Sequence, residues 1–198
     1  MSLLQDIERV LPQTQCQACG FNGCRPYAQA LASGVTTIDK CPPGGVQTLK
    51  ALARLLKVDA KPYLESFDSS YRPPSQAKID EKACIGCAKC IKYCPVDAII
   101  GTAKHMHYVI PHECTGCGLC VEPCPVDCID MVELSTPQYD KDIAKQRYEA
   151  KIQRLDKRQR IQQEKKHCSL ALHDTTDAKL SYIQQALMRV KQKNDEKK

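Results

Sequence analysis

A chain of 198 residues with fourteen Cys, no Trp and only two Phe cannot rely on hydrophobic burial alone, and it suits one or two small domains whose cysteine-rich part folds around metal. No stretch approaches the ~18–20 apolar residues of a membrane span, and the opening MSLLQDIERV lacks a basic n-region, an apolar h-region and a cleavage site, so the chain reads as cytoplasmic, where thiols ligate metal rather than pair as disulfides. The formal charge of +6 is uneven: residues 138–198 hold sixteen Lys/Arg against nine Asp/Glu, residues 1–137 thirteen against fourteen.

In chain order, Ser2 is placed to cap a first helix, with Gln5 completing a capping box. Leu3, Leu4, Ile7, Val10 and Leu11 recur at helical spacing, and Pro12 ends the stripe. Cys16-x2-Cys19-x4-Cys24 follows, then Cys41-Pro42-Pro43-Gly44-Gly45. Between them Arg25 to Ser33 suits a short helix stopped by Gly34, and Val46 to Leu56 a helix packing back on the site. The Pro-Pro-Gly-Gly start suits a helix N-terminus facing an anionic group. Cys16, Cys19, Cys24 and Cys41 make a four-thiolate metal site. Its spacing favours a [4Fe–4S] cluster but leaves zinc open, since zinc also takes four cysteines.

Residues 57–78, with Pro62, Pro73 and Pro74, read as a polar linker, extended near the prolines. Beyond it stand Cys84-x2-Cys87-x2-Cys90-x3-Cys94-Pro95 and, thirty residues later, Cys114-x2-Cys117-x2-Cys120-x3-Cys124-Pro125. This is the spacing of a two-cluster bacterial ferredoxin, in which the fourth Cys of each run ligates the other cluster. Cys84, Cys87, Cys90 and Cys124 are therefore expected to hold one [4Fe–4S] cluster, and Cys114, Cys117, Cys120 and Cys94 the next. Zinc sites space Cys pairs differently and have no use for four ligands plus Pro. Short strands are expected around Ala77–Asp80, Ile99–Gly101, His107–Ile110 and Cys128–Val132. Ala98 sits in the first copy where Cys128 sits in the second, so Cys128 falls outside the ligand set and reads as a packed thiol.

After Thr136-Pro137 the chain is charged and glutamine-rich. Residues 167–175 (HCSLALHDT) interrupt the pattern, and Leu180, Ile183, Leu187 and Val190 resume a seam too short for an independent coiled coil. A helical hairpin is expected. Cys168, His167 and His173 form no complete ligand set. The whole is thus an α+β protein: a small helical domain (1–60), a linker (61–77), a two-cluster ferredoxin domain (78–136) and a basic helical tail (137–198).

The residues LPQTQCQACGFNGCRPYAQAL…DKCPPGG are similar to the N-terminal iron–sulfur domain of the RnfB/RsxB family, the B subunits of Rnf/Rsx-type electron transport complexes. That family follows this domain with a two-cluster ferredoxin bearing CPVDCI-like text, here Cys124 to Ile129, and the resemblance covers about residues 3–135. It implies a [4Fe–4S] cluster on Cys16, Cys19, Cys24 and Cys41, three clusters in all, and single-electron relay between a ferredoxin-like donor and other Rnf/Rsx subunits. Members commonly begin with a hydrophobic anchor before the LPQTQC-like segment. Here Met1 stands where that anchor would end, so peripheral docking at the cytoplasmic face of the inner membrane is the expected form of membrane contact. The alternative is a free-standing soluble polyferredoxin donating to a cytosolic reductase or redox regulator.

No P-loop, GxGxxG, nucleophile elbow or HExxH is present, so the chain carries no organic active site of its own. The interspersed acids of the tail and the missing aromatic stacking set argue against nucleic acid.

Overall fold

The computed structural model describes residues 2–68 and 70–195; the side chains of residues 65, 66, 68, 167–178, 185 and 190–195 lie outside that description. The chain forms two units, residues 1–151 and 152–198.

The first unit begins with α1 (Leu3–Val10), whose capping box forms as expected: Ser2 Oγ accepts from the Gln5 N–H and Gln5 Oε1 from the Ser2 N–H. Then come α2 (Cys24–Ala32), a 3-10 turn at Pro42–Gly44 and α3 (Gly45–Leu56). Ile7, Leu11, Tyr27, Leu31, Leu49 and Leu52 interlock as one buried core. Phe67 joins it from a segment expected to be linker. Tyr63, Leu64 and Phe67 lie on one face of α4 (Lys61–Asp68), Asp59 Oδ1 accepts from the Lys61 N–H, and Pro62 occupies the first turn, where its missing N–H has no intrahelical partner to lose. The prolines at 62, 73 and 74 suggested a linker, extended near each proline; a helix prevails over 61–68 because its apolar spacing finds a core to cover.

Two small antiparallel sheets follow. β1 (Ser75–Ile79) pairs with β4 (Ile129–Glu133), setting Ile79 opposite Ile129; β2 (Ile99–Ile100) pairs with β3 (Tyr108–Val109), setting Ile99 opposite Val109. Each sheet therefore joins a strand of one cysteine repeat to a strand of the other. A short helix, α5 (Lys89–Tyr93), carries Cys90, and the buried Val96, Ala98, Ile99, Val109 and Ile129 form a second core with the cysteines.

The two cores are packed together within the first unit. Thr115 Oγ1 donates to the Thr14 carbonyl (2.9 Å) and Tyr139 Oη to the Pro12 carbonyl (2.7 Å). The last helix, α6 (Lys141–Asp195), completes this body with its first turns. Ala144 is buried in the ferredoxin core, Lys145 pairs with the buried Glu8 (2.8 Å), and Tyr148 Oη donates to the Asn22 carbonyl (3.0 Å). In the second unit, Leu180, Ile183 and Leu187 are exposed. The backbone is helical throughout Lys141–Asp195, without the hairpin turn expected at 167–175; the stretch contains neither Gly nor Pro, and its Ala, Leu, Lys, Arg and Gln favour continuation. The side chains of His167, Cys168 and His173 lie outside the described residues.

Candidate metal centres

The N-terminal centre is shaped by its loop. Gln13, Gln15 and Gln17 all take left-handed backbone conformations (φ 58°, 55° and 60°), which wind the chain tightly around Cys16. Buried amides fix that loop. Gln13 Nε2 donates to the Glu8 carbonyl (2.6 Å), Gln15 Nε2 to Gln13 Oε1 (2.9 Å), and Gln15 Oε1 accepts the Cys24 N–H at the start of α2 (2.8 Å). Cys16, Cys19, Cys24 and Cys41 are thereby brought to the walls of one cavity, together with Leu11, Tyr27, Pro42 and Pro43. Burial pushes the Cys24 thiol up to about 12, and Cys16 and Cys19 beside it add to the rise; Cys41 is likewise pushed up, first by burial and then by Cys24. The glutamines were not singled out by sequence reasoning; their signal was a polar, alternating Gln-x-Gln-x-Gln run next to a ligand.

In the ferredoxin domain the crossed strand pairing crosses the thiols. A second cavity is lined by Cys84, Cys87 and Cys90 of the first repeat and by Cys124 of the second, with Ile79, Ile85, Val126 and Ile129 as apolar wall. Cys114, Cys117 and Cys120 meet Cys94 in turn. Burial pushes Cys117 up to about 12 against a lowering hydrogen bond from the Leu119 N–H, and the charges of Cys94, Cys120 and Cys114 raise it further. Cys94 Sγ accepts the Ala98 N–H at 3.2 Å. Cys124 thus lies with the thiols of the first repeat and Cys94 beside those of the second.

Two further groups share the cavity of Cys84, Cys87, Cys90 and Cys124. His107, 1% exposed, places Nδ1 3.3 Å from Cys90 Sγ and 3.7 Å from Cys84 Sγ. Cys128 Sγ lies 3.6 Å from Cys124 Sγ. Sequence reasoning placed Cys128 as a packed thiol and passed over His107, although the repeat offset sets His107 opposite Ala77.

The donor chemistry fits an iron–sulfur cluster. Burial raises the pKa of Cys24, Cys41, Cys90, Cys117 and Cys120 and so disfavours their thiolates, whereas bound iron supplies the positive charge that stabilises them. Among the described residues, no group of three or more His, Cys, Asp or Glu is set to hold a single metal ion. Among the described residues, too, no helix is long and apolar enough to cross a membrane.

Comparison with known proteins agrees with this chemistry. A family model described as "4Fe-4S dicluster domain" matches residues 77–131, and one described as "Putative Fe-S cluster" matches residues 11–43. A curated protein of Alkalilimnicola ehrlichii, named as the B subunit of an ion-translocating oxidoreductase complex, is 57% identical over 130 residues, covering 66% of this chain and 70% of its own length. Proteins of the same name from Thiobacillus denitrificans (56% identical, covering 56% of this chain and 58% of that protein) and Ectopseudomonas mendocina (56%, covering 72% and 75%) also match. With more than half of its aligned residues identical over about two thirds of its length, the chain belongs to the family of the B subunits of ion-translocating oxidoreductase complexes.

Proposed function

We propose that the chain relays single electrons through three [4Fe–4S] clusters as the B subunit of an Rnf-type ion-translocating oxidoreductase complex. The observation that carries the reading is the gathering of Cys84, Cys87 and Cys90 with Cys124, a thiol from the other repeat, around one cavity. Cys94 joins Cys114, Cys117 and Cys120 for the second ferredoxin cluster, and Cys16, Cys19, Cys24 and Cys41 hold the N-terminal one. When bound, such a cluster takes up and gives up one electron without making bonds to a substrate. The protein's part is to hold thiolates at fixed positions, aim backbone N–H groups at sulfur and keep water out.

The packing also favours an order. Cys16 of the N-terminal set and Cys117 of the second ferredoxin set line one shared cavity, closed by Thr14, Pro43, Thr115 and Tyr139. The N-terminal centre therefore adjoins the second ferredoxin centre, and the first ferredoxin centre, through the crossed thiols, lies beyond it. The other members of the complex and a ferredoxin-like donor are the partners this relay implies, with docking at the cytoplasmic face of the inner membrane.

The test is iron, sulfide and zinc analysis of the full chain purified without oxygen, with electron paramagnetic resonance after reduction. About twelve iron per chain is expected. About eight would remove the N-terminal assignment, and zinc in its place would reverse it.

A further inference from the structure

The two cysteine repeats obey a thirty-residue offset that superposes Cys84 on Cys114 and Cys94 on Cys124. The strands obey it too, since Ile79 and Val109, like Ile99 and Ile129, occupy equivalent places in the two sheets. Backbone donors to sulfur are shared in the same way: the Ala98 N–H reaches Cys94 Sγ as the Cys128 N–H reaches Cys124. Among the positions at which the repeats differ, two place a side-chain donor beside sulfur, and both fall on one centre. His107 stands where the other repeat has Ala77, and Cys128 where it has Ala98. Both line the cavity of Cys84, Cys87, Cys90 and Cys124.

His107 is built into that place. Its ring is buried, Nδ1 faces Cys90 and Cys84, and Nε2 is buried without a hydrogen-bond partner. A thiolate accepts but does not donate, so Nδ1 carries the proton that points at sulfur. Gly101, at φ +147°, makes the room: a Cβ there would overlap Cδ2 of the His107 ring. With Cys124 ligating as a thiolate, Cys128 offers the second donor, its Sγ 3.6 Å from Cys124 Sγ. Reduction adds a negative charge to the cluster and its thiolates, and donors fixed on those sulfurs stabilise the added charge. At the other centre the buried cation Lys151 also favours the Cys94 thiolate through its charge, but its hydrogen bonds go to the Cys94 carbonyl and it is ion-paired with Asp97 (3.2 Å), which offsets that charge.

Resting on the cluster reading above, we infer that His107 and Cys128 make the centre of Cys84, Cys87, Cys90 and Cys124 the higher-potential member of the ferredoxin pair. His107 is a positioning and tuning residue, and an electron shared by the pair resides on its side. The centre adjoining the N-terminal domain is then the low-potential neighbour, so the pair favours transfer away from that domain.

The experiment is a redox titration of the full, cluster-loaded chain followed by electron paramagnetic resonance. Cys94→Ala identifies the potential of the second ferredoxin centre by removing its signal. His107→Ala, which installs the other repeat's residue, should lower the first centre's potential by about tenfold in its reduction equilibrium, or about 59 mV for a one-electron couple. His107→Asn, which can keep a donor near the Nδ1 position, should restore most of the loss. Cys128→Ala should lower the same potential, and the double variant should bring the pair together. Should His107→Ala hold no iron, His107→Asn and Cys128→Ala still decide, by a retained and a lowered upper potential respectively. Movement of the second centre's potential instead, or a full iron content with unmoved potentials, would overturn the inference while leaving the clusters in place. A parent chain without iron would overturn the cluster reading itself.

Discussion

Replacing Lys151 by Met should damage a part of the molecule that its position in a basic tail does not suggest. The ammonium group, on a residue 8% exposed, donates to the carbonyls of Ile91 (3.3 Å), Lys92 (3.1 Å) and Cys94, and pairs with Asp97 (3.2 Å). These carbonyls end α5 and lead into Cys94, so the Lys caps the helix that presents Cys90 and steadies the loop that presents Cys94. Met keeps the buried stem and deletes the charge. Asp97 is about a third exposed (32%) and can be resolvated, but the carbonyl of the buried Cys94 loses its charged donor. A charge-assisted hydrogen bond to a buried group is worth about 1.5–3 kcal/mol, and further partial losses at Ile91 and Lys92 put the total near ~3 kcal/mol. For a unit of this size that is a fall of roughly 6–12 °C in melting temperature. The assay is loss of iron–sulfur absorbance with temperature, without oxygen, beside the exposed control Lys157→Met. A Lys151→Met protein melting within about 1 °C of the parent would refute the reasoning, since this loss mechanism predicts several kcal/mol.

Three other outcomes test other links. Cys94→Ala should abolish the centre of Cys114, Cys117 and Cys120 and leave that of Cys84, Cys87 and Cys90, taking iron from about twelve to about eight per chain; loss of the first centre would contradict crossed ligation. Gly116→Ala should cost more than ~2 kcal/mol and lower cluster occupancy, because φ is +68° and a Cβ would overlap the Ser75 carbonyl of β1; wild-type melting and iron content would show that β1 is free to move. Iron binding to the metal-free chain, measured against a chelator, should weaken steadily as pH falls from 9 to 6. The Cys90 thiol is pushed up to about 11, and those of Cys24, Cys117 and Cys120 to about 12, so protons compete at these four thiols throughout that window. Levelling of the affinity as pH approaches 9 would show that the ligand thiols titrate at or below the ordinary range.

What could be read in the chain was what spacing alone determines. The capping box at Ser2 and Gln5, the stripe through Ile7 and Leu11, and the strands near Ile79, Ile99, Val109 and Ile129 each leave a local pattern of residues, even though β1 finds its partner β4 far along the chain. The gathering of the thiols was legible because ligand spacing encodes cluster topology directly. What stayed hidden depended on partners far along the chain. Phe67 looked like linker because the core it covers, with Leu49 and Leu52, is assembled from other helices. Lys145, Arg147 and Lys151 looked like solvated tail because their acceptors, Glu8, Val96 and Cys94, lie about 50 to 140 residues earlier. His107 was hidden differently. Its meaning lies in a broken symmetry, which shows only when the repeats are laid over one another and the ring is found against Cys90.

These distant contacts share a physical purpose. A relay that changes charge by one unit works best when little has to move, so its sulfurs must be held by parts that do not give. On the proposed ligand sets, each centre is closed by a thiol from a remote segment: Cys41 after α2, Cys124 from the second repeat, Cys94 from the first. Closure by remote thiols makes cluster binding and folding one event, which suits a protein with few large apolar side chains. The start of α6 does the same with charge. Arg147 donates to the Val96 and Asp97 carbonyls and to Glu113, so one guanidinium ties the turn after Cys94 to the turn before Cys114. Cutting the chain after residue 140 would remove that tie, and with it Lys145 and Lys151. Cutting after 151 keeps all three, which places the boundary between the redox body and the rest of the helix at the end of the first unit.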